Sequence, residues 1–223
     1  MWGDINMKKQ YAVLGLGSFG RSVALTIEEM GGEVLVVDSS YEKIQEMADL
    51  VSYAVRADVA DPDSLKMLGT RNLDVAIVAI GENLEASIMA VMVSKEMGIP
   101  YVVAKAKTDL QARILKKVGA DAIVRPEHDM GARTAKNLMS AGFADWIELS
   151  DDFSLVETAI PESWVGKTLV ELHVREEYDI NVVGMIKDGH IQVTLNPYDP
   201  LPEGCVVILI GSNDNLEFLN RRG

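Results

Sequence analysis

A glycine-rich run separates an apolar strand pattern from an apolar-periodic helix pattern near the start of the chain. The run reads Gly15-Leu16-Gly17-Ser18-Phe19-Gly20. The first glycine permits a tight turn, the second lets a diphosphate approach the backbone, and the third lets the helix pack close to the strand. Amides at the start of the helix then face the phosphates. The run therefore predicts a nucleotide-binding crossover.

An acidic residue at the expected distance strengthens this prediction. Asp38 ends the apolar run 34–37, 18 residues after Gly20. There a carboxylate accepts hydrogen bonds from ribose hydroxyls and repels a 2′-phosphate, so NADP is disfavoured. Because the carboxylate reads only the ribose, it does not distinguish NAD(H) from ADP or ATP.

Composition restricts the partners. The 223 residues, 48% of them hydrophobic, suffice for one full domain and a small one. The formal charge of −13 argues against nucleic-acid binding, which depends on Lys and Arg. The single cysteine, Cys205, fits a reducing cytoplasm. No apolar stretch approaches the roughly 18 to 20 residues that cross a bilayer, so we expect no direct membrane insertion.

Strand and helix patterns alternate over the first half of the chain. Five helix patterns separate six strand patterns, at residues 11–15, 34–37, 53–55, 75–80, 101–104 and 122–124. Parallel strands need such crossovers. The sequence therefore predicts an α/β fold with a doubly wound parallel, Rossmann-like sheet, forming a nucleotide-binding domain over residues 1–126.

The pattern changes after Arg125-Pro126. A helix pattern at 129–141 indicates a crossover helix and linker over residues 127–144. Strand patterns follow at 146–150, 155–159, 180–186, 191–195 and 205–210, with a tight turn at Asp188-Gly189 and a short polar helix from Asn213. Residues 145–223 are thus expected to form a smaller α+β domain, marginal by size and stabilised by pairing with a copy of itself.

Catalytic machinery is not evident in the sequence. None of the three histidines has a recognisable partner, and Tyr101 and Lys105, spaced as in short-chain dehydrogenases, fall on a strand pattern that separates them. We therefore expect that the protein is not an enzyme. A small NAD-dependent oxidoreductase and an NAD(H)-responsive sensor module remain alternatives, because fold alone does not fix function.

Several motifs in order resemble one family, the KtrA/TrkA-type RCK-domain regulatory subunits of bacterial potassium uptake systems. The resemblance rests on the runs 11–20, 78–81, 125–131 and 172–181. It implies a cytoplasmic ATP- or ADP-binding subunit, peripheral at the inner face of the membrane, that gates a membrane potassium channel or transporter subunit. It also implies a homo-oligomer, an octameric ring. The helix pattern at 88–97 agrees with this, because its apolar faces exceed what one sheet can cover.

The resemblance also implies nucleotide contacts. Asp38, Ser39 and Ser40 would lie at the ribose, Asp58 and Val59 near the adenine, and Lys105 to Lys107 near phosphate. The full expected set is Gly15, Leu16, Gly17, Ser18, Phe19, Gly20, Asp38, Ser39, Ser40, Asp58, Val59, Ile80, Gly81, Glu82, Lys105, Ala106, Lys107, Gln111 and Glu127.

Each of these contacts has an alternative reading. Ser39 and Asp58 could be turn residues, and Lys105 a solvated strand end. Glu127, which by the resemblance helps hold a cation and phosphate across a subunit contact, could be a helix N-terminal acid.

One position departs from the family pattern. Relatives often have an arginine that reaches the terminal phosphate of ATP where this chain has Ser18. Arg21 or Lys107 could replace it, and the preference between ATP and ADP stays open.

Some relatives hold cyclic di-AMP between two copies of the smaller domain. By the resemblance, Arg175 would pair with phosphate, Asn181 would hydrogen-bond adenine, and Val170, Val182 and Pro197 would form an apolar wall. The alternative is that Arg175 is a surface helix residue and the valines are core, which leaves this domain a dimerisation element.

Overall fold

The computed structural model describes residues 9–68, 73–139 and 143–220. The chain divides into two compact units, the first ending at His128 and the second beginning at Asp129. This division falls close to the predicted end of the nucleotide-binding domain at residue 126. The finer division into a linker at 127–144 and a domain at 145–223 stays a prediction. Among the described residues, no helix combines the length and apolar character needed to span a bilayer.

The first unit alternates strands and helices along its described length. Its elements are β1 (Gln10–Leu14), α1 (Ser18–Glu29), β2 (Glu33–Asp38), α2 (Tyr41–Met47), β3 (Tyr53–Arg56), α3 (Pro62–Leu68), β4 (Val75–Val78), α4 (Leu84–Glu96), β5 (Tyr101–Lys105), α5 (Asp109–Val118) and β6 (Ala122–Val124). All pairings are parallel, in the order β3-β2-β1-β4-β5-β6. The predicted doubly wound sheet is confirmed, with its order reversing between β1 and β4.

Alternate side chains of these strands enter two separate cores. Ala12 and Leu14 of β1 belong to a core that includes side chains of α4 and α5, whereas Val13 belongs to one that includes side chains of α1 and α2. This follows from the two-residue period of a strand. Helix α4 packs beside α3 and α5, and its Ala90 and Val91 are fully buried. The apolar pattern at 88–97 is therefore largely accounted for within one chain.

The second unit contains an antiparallel sheet and short helices. Its elements are α6 (Pro126–Met139, which spans the division), β7 (Phe143–Glu148), β8 (Phe153–Ala159), a 3-10 turn (Glu162–Trp164), α7 (Leu169–Leu172), α8 (Val174–Tyr178), β9 (Ile180–Lys187), β10 (His190–Gln192), β11 (Val206–Ser212) and α9 (Asn213–Asn220). The described sheet order is β10-β9-β11-β8-β7. Buried Trp164, Ile180, Leu209 and Leu216 lie in its core.

Local expectations in the second unit had mixed outcomes. The hairpin turn is confirmed, because Asp188 and Gly189 both have positive φ, 49° and 76°. The strand expected at 191–195 ends at Gln192, since β10 is an edge strand whose exposed side chains gain no burial from extending it. The helix expected from residue 129 begins at Pro126, a residue favoured in a first helical turn. Its expected end at 141 lies outside the described residues.

Candidate functional site

The carboxyl ends of the parallel strands bring the expected nucleotide contacts to one edge of the first sheet. The glycine run follows β1, Asp38 ends β2, and residues 80–82 follow β4. Lys105 ends β5 and Glu127 follows β6. This edge includes the point between β1 and β4 where the strand order reverses, which is where ligands bind in open α/β sheets.

The glycine run has the geometry that a diphosphate requires. Gly15 has φ +101°, and its N–H donates to the Val37 carbonyl at 2.8 Å. A Cβ on Gly20 would lie 2.0 Å from the Gly15 carbonyl oxygen, so the fold itself demands glycine there. A Cβ on Gly17 would meet no atom within 4 Å. The open backbone at Gly17 and the start of α1, whose first turn contains no acidic residue, therefore suit an anionic ligand.

Asp38 joins the glycine run to the start of α2. Its Oδ2 accepts the Leu16 N–H at 2.7 Å, its Oδ1 accepts the Ser40 N–H at 2.9 Å, and Lys43 Nζ lies 3.3 Å from Oδ2. Burial by itself would raise the pKa of Asp38, but these N–H groups and the Lys43 ammonium outweigh it and hold that pKa below its usual value. The residue is thus a fixed carboxylate at neutral pH, as ribose recognition requires.

Lys105 is a buried cation at the end of β5, on this edge of the sheet. Only 9% of the residue is exposed, and its Nζ donates to Glu127 Oε1 at 2.5 Å. The same Nζ lies 5.8 Å from the centre of the Phe19 ring, and a Cβ on Gly81 would be 3.6 Å from it. Lys105 therefore lies beside both the glycine run and the loop after β4. The reading of Lys105 as a solvated strand end is wrong.

Glu127 is tied to Lys105 in the single chain. The hydrogen bond from Lys105 lowers the pKa of Glu127. Among the described residues, no three His, Cys, Asp or Glu side chains lie close enough together to hold a metal ion. The expected cation at Glu127 stays a prediction.

The two cations considered as replacements for arginine at position 18 are both paired. Arg21 pairs with Glu46, and Lys107 pairs with Glu82. Lys105 is paired as well, with Glu127, but unlike Arg21 and Lys107 it is buried.

Several other expected contacts have structural partners of their own. Asp58 accepts the Ala60 N–H at 2.9 Å, which is the geometry of a turn. Ser40 caps α2, and Gln111 accepts the Lys107 N–H at 2.9 Å. Val59 packs against the core, and buried Ala106 offers only its backbone. In Asp58, Ser40 and Gln111, one side-chain oxygen thus accepts a local backbone N–H.

The structure adds one residue that was not expected from the sequence. Arg56 pairs in register with Asp38 and donates from Nε to the Ser39 carbonyl at 3.0 Å. It therefore places a positive charge beside the expected ribose position. Its place directly after the strand pattern at 53–55 was the available signal.

A groove of about 600 Å³ lies in the second unit. Four of the five residues expected around cyclic di-AMP line it, namely Val170, Arg175, Val182 and Pro197. Asn181 adjoins it on β9. Val170 is 43% exposed, so the reading of this valine as core is wrong.

Two family models cover most of the chain. Residues 11–126 match the TrkA-N domain, and residues 155–221 match the TrkA-C domain. The chain belongs to the TrkA family. The predicted family, and with it the predicted regulatory role in potassium transport, is confirmed.

Curated relatives support this assignment over the full length. The chain is 39% identical to Ktr system potassium uptake protein C of Bacillus subtilis, covering 97% of this chain and 98% of the relative. It is 34% identical to Ktr system potassium uptake protein A of the same organism, covering 96% and 97%. The corresponding protein A of Vibrio alginolyticus is 33% identical over 93% of this chain and 94% of its own.

Solved structures agree with the fold. The GsuK RCK domain matches 98% of this chain with a TM-score of 0.65 and 16% identity. This chain spans about half of that one, 48% of its length. The TrkA-N domain of the inner membrane protein ybaL from Escherichia coli matches 60% of this chain and 99% of its own, with a TM-score of 0.53 and 18% identity.

Proposed function

We propose that the first unit binds ADP and ATP, and that the bound nucleotide sets the activity of a membrane potassium channel or transporter subunit. The observation that carries this proposal is Asp38, a buried carboxylate hydrogen-bonded to the Leu16 N–H of the glycine run. It fixes a ribose acceptor and a phosphate-binding loop relative to each other. Family membership supports potassium transport as the process served.

The two nucleotides would differ at Lys105. The diphosphate would lie on the open backbone at Gly17 and the N-terminus of α1. A further phosphate reaching Lys105 would compete with the Glu127 carboxylate, which lies at the start of α6. Displacement of Glu127 from Lys105 would thus be an effect of ATP that ADP lacks. It would act on α6, which continues along the chain into the second unit. A ligand shifts a conformational equilibrium only through such a difference.

We further propose the assembly that the family resemblance implies. It is an octameric ring at the cytoplasmic face of the membrane, held there by the transporter subunit. A cation would sit between copies, with Glu127 as one ligand and the other ligands from a neighbouring copy. The charge of −13 supports a protein partner over a nucleic acid.

Two alternatives share the same site. Asp38 binds a ribose whether it belongs to ADP or NAD(H), so an NAD(H)-responsive sensor would use the same residues. A small NAD-dependent oxidoreductase would need a proton donor at the nicotinamide. The buried titratable side chains described at this edge, Asp38 and Lys105, are both paired, with Lys43 and Glu127.

Thermal unfolding with ADP, ATP, NAD⁺, NADH and NADPH distinguishes these functions. A nucleotide at one hundred times its dissociation constant adds about 2.7 kcal/mol to the unfolding free energy. We expect shifts with ADP and ATP and none with NADPH. No shift with any adenine nucleotide would reject the site, and turnover of NAD(H) would favour the enzyme.

Regulation needs a separate measurement. Potassium flux through the partner transporter, reconstituted with this protein in vesicles, should change when ADP is exchanged for ATP. Equal flux with either nucleotide would reject gating but leave nucleotide binding intact.

We also propose that the groove of the second unit holds cyclic di-AMP between two copies. In support, Arg175 lines the groove, and its guanidinium has no ion pair with a described residue. Calorimetry on the full chain should detect binding that Arg175→Ala abolishes and that Arg113→Ala, an exposed arginine of the first unit, leaves unchanged. No heat with the wild-type protein would leave this unit a dimerisation element.

A further inference from the structure

His173 and Glu176 lie in the same groove as Arg175, although neither was expected there from the sequence. The Nδ1 atom of His173 is 2.7 Å from the Oε2 atom of Glu176. Both side chains line the groove, and they are 58% and 78% exposed. An ion pair as exposed as this one adds little to stability.

The backbone of His173 is also unusual. It has φ 46° and ψ 37°, the left-handed conformation, at the junction between α7 and α8. Residues other than glycine are uncommon in this conformation, which disfavours side chains. Histidine, asparagine and aspartate are the exceptions that are enriched there, and Asp179 and Asp188 of this chain adopt it as well. The left-handed backbone therefore sets the direction of the imidazole.

The charge of the groove depends on this imidazole. The titratable side chains that line the groove are His173, Arg175 and Glu176. The lining residues contributed by β9 and by the segment 193–197 are all apolar. With a neutral imidazole, the charges of Arg175 and Glu176 cancel. With a protonated one, the groove carries a net charge of +1.

We infer that His173, positioned by Glu176, is a second phosphate-binding residue of the groove and binds in its protonated form. The inference rests on the proposed binding of cyclic di-AMP between two copies. That ligand has one negative charge on each of two phosphodiesters, which two grooves of +1 match. The imidazole donates from Nδ1 to the Glu176 carboxylate, which leaves its Nε2–H to donate to a phosphate oxygen.

Binding of the dinucleotide is therefore coupled to proton uptake. Imidazoles gain their proton between about pH 8 and pH 5. One charge-assisted hydrogen bond changes affinity by about tenfold. The cell's potassium uptake would then respond jointly to the dinucleotide and to acidification.

Calorimetry of cyclic di-AMP binding to the full chain at pH 6.0 and pH 8.0 tests this coupling. We expect binding about tenfold tighter at pH 6.0, with heats that depend on the ionisation enthalpy of the buffer because protons are taken up. His173→Asn, which tolerates the left-handed backbone but does not titrate, should bind with the weaker affinity at both pH values. Glu176→Gln should weaken binding at pH 6.0, since it removes the carboxylate that positions the imidazole.

A matched control is His190→Asn, which replaces an exposed histidine on β10 outside the groove lining. It should keep the wild-type pH profile. Binding of equal affinity at both pH values, or a wild-type profile in His173→Asn, would overturn the inference while leaving the dinucleotide site intact. Absence of binding at both pH values would instead reject the proposed ligand, and the inference with it.

Discussion

Replacing Asp38 by alanine should weaken both the fold and the nucleotide site, because one carboxylate serves both. The substitution removes the acceptors of the Leu16 N–H at 2.7 Å and the Ser40 N–H at 2.9 Å. Hydrogen bonds to charged groups contribute about 1.5 to 3 kcal/mol each. Water entering the vacated space recovers part of this, so we expect a loss of about 2 to 4 kcal/mol in the free energy of unfolding.

Asp38→Asn separates the two contributions. The amide keeps one acceptor oxygen, so about half of the stability loss is expected, roughly 1 to 2 kcal/mol. It loses the charge and one of the two ribose acceptors. The affinity for ADP should therefore fall at least about tenfold, the value of one charge-assisted hydrogen bond.

Urea unfolding and ADP titration should be measured on the same proteins. Asp74→Ala is the matched control, because the Asp74 Oδ2 accepts the Gln10 N–H at 2.8 Å before β4, at the opposite edge of the sheet. It should lower stability and leave the ADP affinity unchanged. If Asp38→Ala keeps wild-type ADP affinity, or if Asp74→Ala loses it to the same extent, the assignment of Asp38 to the ribose is refuted.

Three further predictions concern stability. Gly20→Ala should cost roughly 1 to 3 kcal/mol in urea unfolding and abolish the ADP-induced shift, because its Cβ would lie 2.0 Å from the Gly15 oxygen. Gly131→Ala, in open space on α6, should instead stabilise by up to about 1 kcal/mol; equal effects would contradict the steric argument. The pKa of Asp121 in the folded state is lowered, chiefly by the hydrogen bond from Lys95. The carboxylate therefore stabilises the fold above its unfolded-state pKa, which is near 3.9, and this stabilisation is lost as the pH falls below that value. The unfolding free energy should decline from pH 6 to pH 2.5, and the decline should be smaller in Asp121→Asn. Identical declines in the two proteins would show that Asp121 is not a source of the acid sensitivity. Leu209→Ala, at a fully buried position in the second unit, should cost about 2 to 5 kcal/mol there, and calorimetric scans should still show an ADP-stabilised transition of the first unit. Loss of that transition would contradict the division of the chain into two units with separate hydrophobic cores.

Much of the first unit could be predicted because its signals are local. The spacing of Gly15, Gly17 and Gly20 specifies a turn, an open backbone and a close contact, and the structure shows all three. The strand patterns come at the correct places because each buried parallel strand needs its own apolar run. The same holds for Asp188-Gly189, since two successive positive φ angles are a property of that dipeptide turn.

The candidate sites were only partly predictable. Val170, Arg175 and Pro197 were named through a resemblance, and only the fold places them around one groove. The sequence indicates no partner for His173, because its pairing with Glu176 depends on a left-handed junction between helices of four and five residues. Helices that short leave no periodic signal.

The sequence by itself determined which backbone conformations and strand alternations were available, and with them the α/β class and the nucleotide-binding loop. Tertiary structure decided the electrostatic state of the sites. From the sequence alone, Lys105 could equally be a solvated or a buried cation. The placement of β5 between β4 and β6 decides this. Burial and charge pairing depend on residues distant in the chain, such as Lys105 and Glu127, whose proximity no local pattern encodes.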